Sequence, residues 1–160
     1  MSANKEKIII GNCSGFYGDR LSAAKDMVEG GPIDVLTGDY LAELTMTILY
    51  NQRMKRGEDQ GYVGTFLKQF KDVAKNCEEK NIKIVTNAGG LNPSSMATKI
   101  EEIVQELNLN LKVAYIDGDD LIPRFEELKE AKEPLKNIEK GNSLHDYEKA
   151  PLTANAYFGA

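Results

Sequence analysis

Residues 82–93 read IKIVTNAGGLNP. A short apolar run of strand type ends in two asparagines, two glycines and a proline, with no ordinary turn pair such as Asn-Gly. Pro93 suits the first turn of a helix, where a missing N–H costs nothing. Asn92, just before it, suits the cap of that helix. The stretch therefore reads as strand, loop, helix, and this grammar recurs along the chain.

Strands are expected at Lys7–Gly11, Ile33–Thr37, Ile82–Thr86, Lys112–Ile116 and Leu152–Ala156. Helical spacing of apolar residues predicts helices over Gly18–Glu29, Tyr40–Lys55, Thr65–Lys80, Pro93–Leu107 and Asp120–Lys132. Residues 133–149 are polar and match neither pattern. Alternation of this kind implies an α/β fold: a parallel sheet of flavodoxin-like or Rossmann-like type, with helices on both faces in three layers. Near-continuous apolar strands such as KIIIG agree with burial on both sides. The expected strand order is the flavodoxin one, 2-1-3-4.

The 160 residues fit a single α/β domain over 1–160 that buries a core without staples. The net charge of −5 argues against a nucleic-acid grip, which needs a basic patch. No apolar run approaches bilayer length, and MSANKEKIIIGNC has too short a run for a secretory signal. Cys13 and Cys77 have no metal-ligand spacing. The composition points to a reduced, cytoplasmic protein. The closing LTANAYFGA stops where a strand should hand over to its helix. Either that strand is a tied-down edge or the chain is the front piece of a longer protein.

In a parallel sheet, ligands bind at the carboxyl ends of the strands. The stretches that follow the strands are GNCSGFYGDR (11–20), TGDYLAE (37–43), NAGGLNP (87–93), DGDD (117–120) and ANAYFGA (154–160). They gather Gly, Asn and Asp, whereas the helix faces are rich in Lys and Glu. Such a rim exposes backbone N–H groups and helix N-termini, which favour anionic groups. Each residue has two readings. Gly15 belongs either to a plain turn or to a loop that approaches a ligand; the loop matches neither the dinucleotide fingerprint nor the P-loop. Asp19 and Asp39 serve as catalytic carboxylates or as helix caps, and capping is the simpler account of Asp39. Glu43 stands about one helical turn beyond Asp39, beside the apolar face, and is either an acid/base group or a first-turn acid that the helix dipole favours. Asn87 suits orienting a carbonyl or hydroxyl, Gly89 and Gly90 suit close backbone approach, and Asn92 is a cap that also lines the rim. Asp117 is either a ligand of a cation or ribose, or part of an Asp-Gly turn. Cys13, at a strand end near a helix N-terminus, is either a thiol of lowered pKa or a small buried side chain. No residue set fixes a metal or a cofactor.

The ordered set GFYGDR, GDYLAE, NAGGLNP, DGDD and TANAYFGA resembles the acyclic terpene utilisation protein A (AtuA) family over Ile8–Ala160. Family members are longer, so the resemblance implies an N-terminal part of such a protein. It also implies a catabolic setting: breakdown of acyclic terpenoids or branched acyl-CoA compounds, in company with acyl-CoA enzymes. The expected partners are a small-molecule ligand and either a second copy or an acyl-CoA enzyme, without nucleic acid or membrane. The alternative is a non-catalytic, nucleotide-sensing or scaffolding subunit of a metabolic complex.

Overall fold

The computed structural model describes residues 7–130 and 135–157. The expected helix end at Lys132 and the last residues of ANAYFGA lie outside them. The chain divides into two compact units, Met1–Ile116 and Asp117–Ala160.

The first unit carries the sheet. β1 (Ile10–Asn12), β2 (Val35–Gly38) and β3 (Lys83–Thr86) run parallel in the order β1-β2-β3. Register places Gly11 opposite Leu36 and Leu36 opposite Ile84. The helices are α1 (Ala23–Gly30), α2 (Glu43–Arg56), α3 (Gly64–Glu79) and α4 (Pro93–Glu106). This is the α/β class that the alternation predicts, a parallel sheet with helices, consistent with a three-layer arrangement.

Several elements differ from expectation. β2, not β1, is central, which replaces the flavodoxin order. α1 starts at Ala23 because residues 15–20 form a turn, closed by Asp19 N–H on the Phe16 carbonyl at 3.2 Å, with Gly18 at φ +100°. α2 starts at Glu43 behind Ala42, because Tyr40 turns inward and is buried. Lys112–Ile116 does not form a strand. Leu109, Leu111 and Val113 pack as alternate residues against the core, as in an extended chain, yet no ladder bond joins them to β3.

Core packing explains why α3 organises this unit. Its Phe66, Phe70 and Ala74 join Tyr40, Leu49, Met96, Ile100 and Val104 in one apolar cluster. Its Val73 and Cys77 join Cys13, Ala24, Val28, Leu36 and Ile82 in another. α3 thus faces α4 on one side and α1 on the other, and Ile84 of the sheet touches both clusters. The opposite sheet face carries Ile10 and Val85, 63% and 60% exposed.

In the second unit, a 3-10 turn at Ile122–Arg124 leads into α5 (Phe125–Glu130). The expected strand at Leu152–Ala156 is reduced to one antiparallel bridge, Asn155 to Asp120. A second 3-10 turn at Leu144–Asp146 is closed by a capping box on Ser143.

Two glycines test the packing with opposite signs. A Cβ on Gly90, at φ +55°, would collide with Leu49 Cδ1 and sit 2.8 Å from the Gly61 carbonyl oxygen. Gly64, at the start of α3, has open space and an ordinary φ. Gly90→Ala should therefore cost about 1–3 kcal/mol, and Gly64→Ala should add about 0.5 kcal/mol. Urea denaturation measures both.

Candidate functional site

The three loops after β1, β2 and β3 are bound to one another. Asn12 Nδ2 donates to the Ser14 carbonyl at 2.9 Å, and Asp39 N–H donates to the same carbonyl at 3.0 Å. Thr86 Oγ1 donates to the Gly38 carbonyl at 2.9 Å. The Asn87 amide completes the set. Its Nδ2 donates to Asp39 Oδ1 at 2.6 Å, and its Oδ1 accepts the Tyr40 N–H at 2.9 Å. The structure therefore brings Asp39 and Asn87 into contact at the carboxyl rim.

Tyr40 anchors this rim from below. Its hydroxyl donates to the buried Gln69 Oε1 at 2.7 Å, and its ring meets Phe66 edge-on with centroids 5.9 Å apart. Gly38 is needed beneath that ring, since a Cβ there would lie 2.6 Å from Tyr40 Cε2. Ser14, Tyr40 and Gln69 were not among the expected site residues. A tyrosine two positions after a strand-end glycine is the signal that points to such an anchor.

Asp19 accepts Gly15 N–H at 3.0 Å and Arg20 N–H at 2.7 Å. Those two bonds, Gly15 first, hold its carboxyl below the usual range. It closes its own loop and does not cap α1, whose cap position is Ser22. Asp39 likewise caps nothing: Ala42 precedes α2. Glu43 is exposed on the first residue of α2, and its carboxylate has no hydrogen bond or ion pair among the described residues. Gly15 has open space around its Cα. Gly89 and Gly90 are explained by packing: a Cβ on Gly89 would lie 2.8 Å from Pro93 Cβ, and Gly90 abuts Leu49. Asn92 caps α4, accepting Ser95 N–H at 3.2 Å, while its Nδ2 ties down the Glu58 carbonyl at 2.9 Å. Asp117 lies in the second unit with no side-chain partner among the described residues; there Asn155 donates to nearby Asp119 at 3.0 Å.

Burial decides the thiol chemistry. It pushes the Cys13 thiol up, against the lowering effect of its hydrogen bond with Tyr40. Burial also pushes Cys77 up to about 11, opposed by Lys80. Burial, then Cys13, drives the Tyr40 hydroxyl far above its ordinary value. A lowered Cys13 pKa is thus ruled out: this thiol is a core side chain. Among the described residues, no cluster of three or more metal-ligating side chains forms, and no helix is long and apolar enough to cross a membrane. A separate groove of about 350 Å³ runs between α4 and Val113–Tyr115, with Ser94, Thr98 and Glu101 on the helix side.

Residues 8–160 match the family model described as acyclic terpene utilisation family protein AtuA. The match covers nearly the whole chain, and the chain belongs to that family. No curated protein and no solved structure matches it.

The Asn87 tie has a charge signature. Asn87→Asp keeps the acceptor for Tyr40 but sets a second carboxylate against Asp39. Repulsion raises one folded-state carboxyl above its unfolded value of about 3.9. Stability relative to wild type is then retained below about pH 4 and lost as pH rises through the raised value. Asn87→Ala should lose about 1–2 kcal/mol with little pH dependence. Denaturant melts at pH 4 and pH 7 compare the two.

For the cysteines, a thiol-reactive disulfide reagent at pH 8 should label the folded protein slowly and both thiols promptly in guanidinium. Rapid labelling of Cys13 in the folded protein would mean that its loop opens readily.

Proposed function

We propose that this member of the acyclic terpene utilisation family is a cytoplasmic catabolic protein. It acts in breakdown of acyclic terpenoids or branched acyl-CoA compounds, with a small-molecule site at the carboxyl ends of the strands. The supporting observation is the tied rim, in which Ser14, Asp39, Tyr40 and Asn87 bind three successive strand-end loops into one platform. A platform held by its own hydrogen bonds is preorganised, so binding need not order it.

Glu43 is the acid/base candidate of this reading. Its carboxylate is exposed, has no partner among the described residues and is set at a helix N-terminus, where negative charge is favoured. Asp39 keeps acceptor capacity beyond its bond from Asn87. Gly15 offers an open loop for substrate approach. Asn87 and Asp19 act in this reading as positioning residues, because their polar atoms are engaged within the protein. Partners in the same setting are an acyl-CoA enzyme or a second copy of the chain.

One observation favours the second reading, a non-catalytic sensing or scaffolding subunit. Most of the polar capacity of the Asn87 and Asn92 amides and the Asp19 carboxylate is engaged inside the loops. A rim so occupied has fewer groups left for chemistry.

Thermal shift separates the readings. A branched acid or its CoA ester at 100 times Kd should stabilise the fold by about 2.7 kcal/mol through mass action. Glu43→Ala should keep the unliganded melting temperature and lose much of the shift. An unchanged shift in Glu43→Ala would remove Glu43 from the site. Absence of any shift, together with co-purification of an acyl-CoA enzyme, would favour the scaffold.

A further inference from the structure

β3 has a free edge. Among the described residues, only β2 pairs with it. After α4, Leu109, Leu111 and Val113 pack against the same core cluster as Ile84 of β3. Their alternate burial is the two-residue period of a strand. Yet from Leu111 to Gly118 no backbone N–H or C=O has a hydrogen bond among the described residues. An extended chain whose apolar side chains already sit on the core cluster that Ile84 of β3 packs against is one ladder short of a βαβ unit.

We propose that Leu111–Ile116 is a strap with two positions. One is the free position of the structure, and the other is a paired position on the outer edge of β3. The inference goes beyond the rim reading and does not depend on it.

The ladder geometry fixes which groups must pair. Lys83 N–H donates to the Asp34 carbonyl at 3.0 Å, so Lys83 and Val85 direct their backbone groups toward β2. In a parallel ladder backbone direction alternates, so Ile84 and Thr86 face the free edge. The strap residue opposite Ile84 must share its core-facing side, which makes it Leu111 or Val113. In either register the Ala114 N–H points at β3, while the Val113 and Tyr115 N–H groups point away. Pairing also acts on the groove, since Val113, Ala114 and Tyr115 form its wall against Ser94 and Thr98. The strap position therefore sets whether that groove is open.

Single-residue hydrogen exchange on the whole chain tests this. The Ala114 amide should exchange at least tenfold more slowly than the Val113 and Tyr115 amides, yet faster than Leu36 in the central strand. Equal, rapid exchange at 113, 114 and 115 would overturn the paired position. Protection of Ala114 matching Leu36 would overturn the free one. Proline supplies an independent arm, because it removes one N–H and is tolerated where that group points outward. Ala114→Pro should lower Tm by about 3 °C, and Tyr115→Pro should lower it less. Equal losses would overturn the assigned direction of the ladder. Should Ala114→Pro fail to fold, the wild-type exchange pattern still decides.

Discussion

The first unit depends on one buried side chain and the amide that holds its backbone. Tyr40 leaves β2, turns into the core and fixes three neighbours: Gly38 under its ring, Phe66 at its edge and Gln69 at its hydroxyl. Leaving the phenol without a partner there would cost about 1–3 kcal/mol, so the buried Gln69 is as necessary as the tyrosine. Asn87 reaches over from the end of β3 to accept the Tyr40 N–H. The loop after β2 is thus held from below by α3 and from the side by the loop after β3. Both constraints act on the residues between Gly38 and Glu43, which explains why α2 starts late and why Asp39 and Glu43 stay exposed at the rim.

A polar group that holds a loop has less to give a ligand. An asparagine amide has two donors and an acceptor oxygen; in Asn87 the oxygen and one donor are engaged. Asp19 spends both oxygens on backbone N–H groups of its own turn. Glu43 has neither obligation, and the helix end behind it supports its charge. The residues that look most like chemistry by type therefore divide into those that build the platform and those that stand on it. The division follows from counting hydrogen bonds rather than from residue identity.

Much of this was legible in the sequence where the signal is local. Asn92 before Pro93 reads as cap and first turn, and both serve so in α4. Alternating apolar runs and amphipathic stretches mark all three strands and the four long helices of the first unit. What escaped reading depends on pairing between distant residues. Strand order is set by which edges meet, and no local pattern encodes that β2 lies between β1 and β3. Gly89 and Gly90 read as room for a ligand, and the fold adds a second demand for glycine there, because an added Cβ would meet Pro93 or Leu49. Cys13 stands at a strand end, a place that suggests a lowered pKa, but burial raises it against the lowering hydrogen bonds from Tyr40 and its own backbone. Tyr40 reads in the sequence as the first residue of a helix, whereas its role comes from Gln69, Phe66 and Asn87, at least 26 positions away.

The uneven finish of the sheet follows from the same logic. Leu36 and Ile84 turn toward α1, α3 and α4, and their row includes Gly11, whose Cβ would lie 2.7 Å from the Met27 side chain. At Gly11 that face is closely filled, and a side chain there would displace Met27. On the other face, Ile10 and Val85 stand in solvent beside Lys83 and Asn12. On that face the hydrophobic driving force is about 25 cal/mol for each Å² of apolar surface removed from water. Asn12 and Thr37 moderate it, their side chains bonding to each other at 3.1 Å at the rim end of that face. The apolar demand is therefore strongest at the start of the strands, and it fades toward the end where the carboxylates stand.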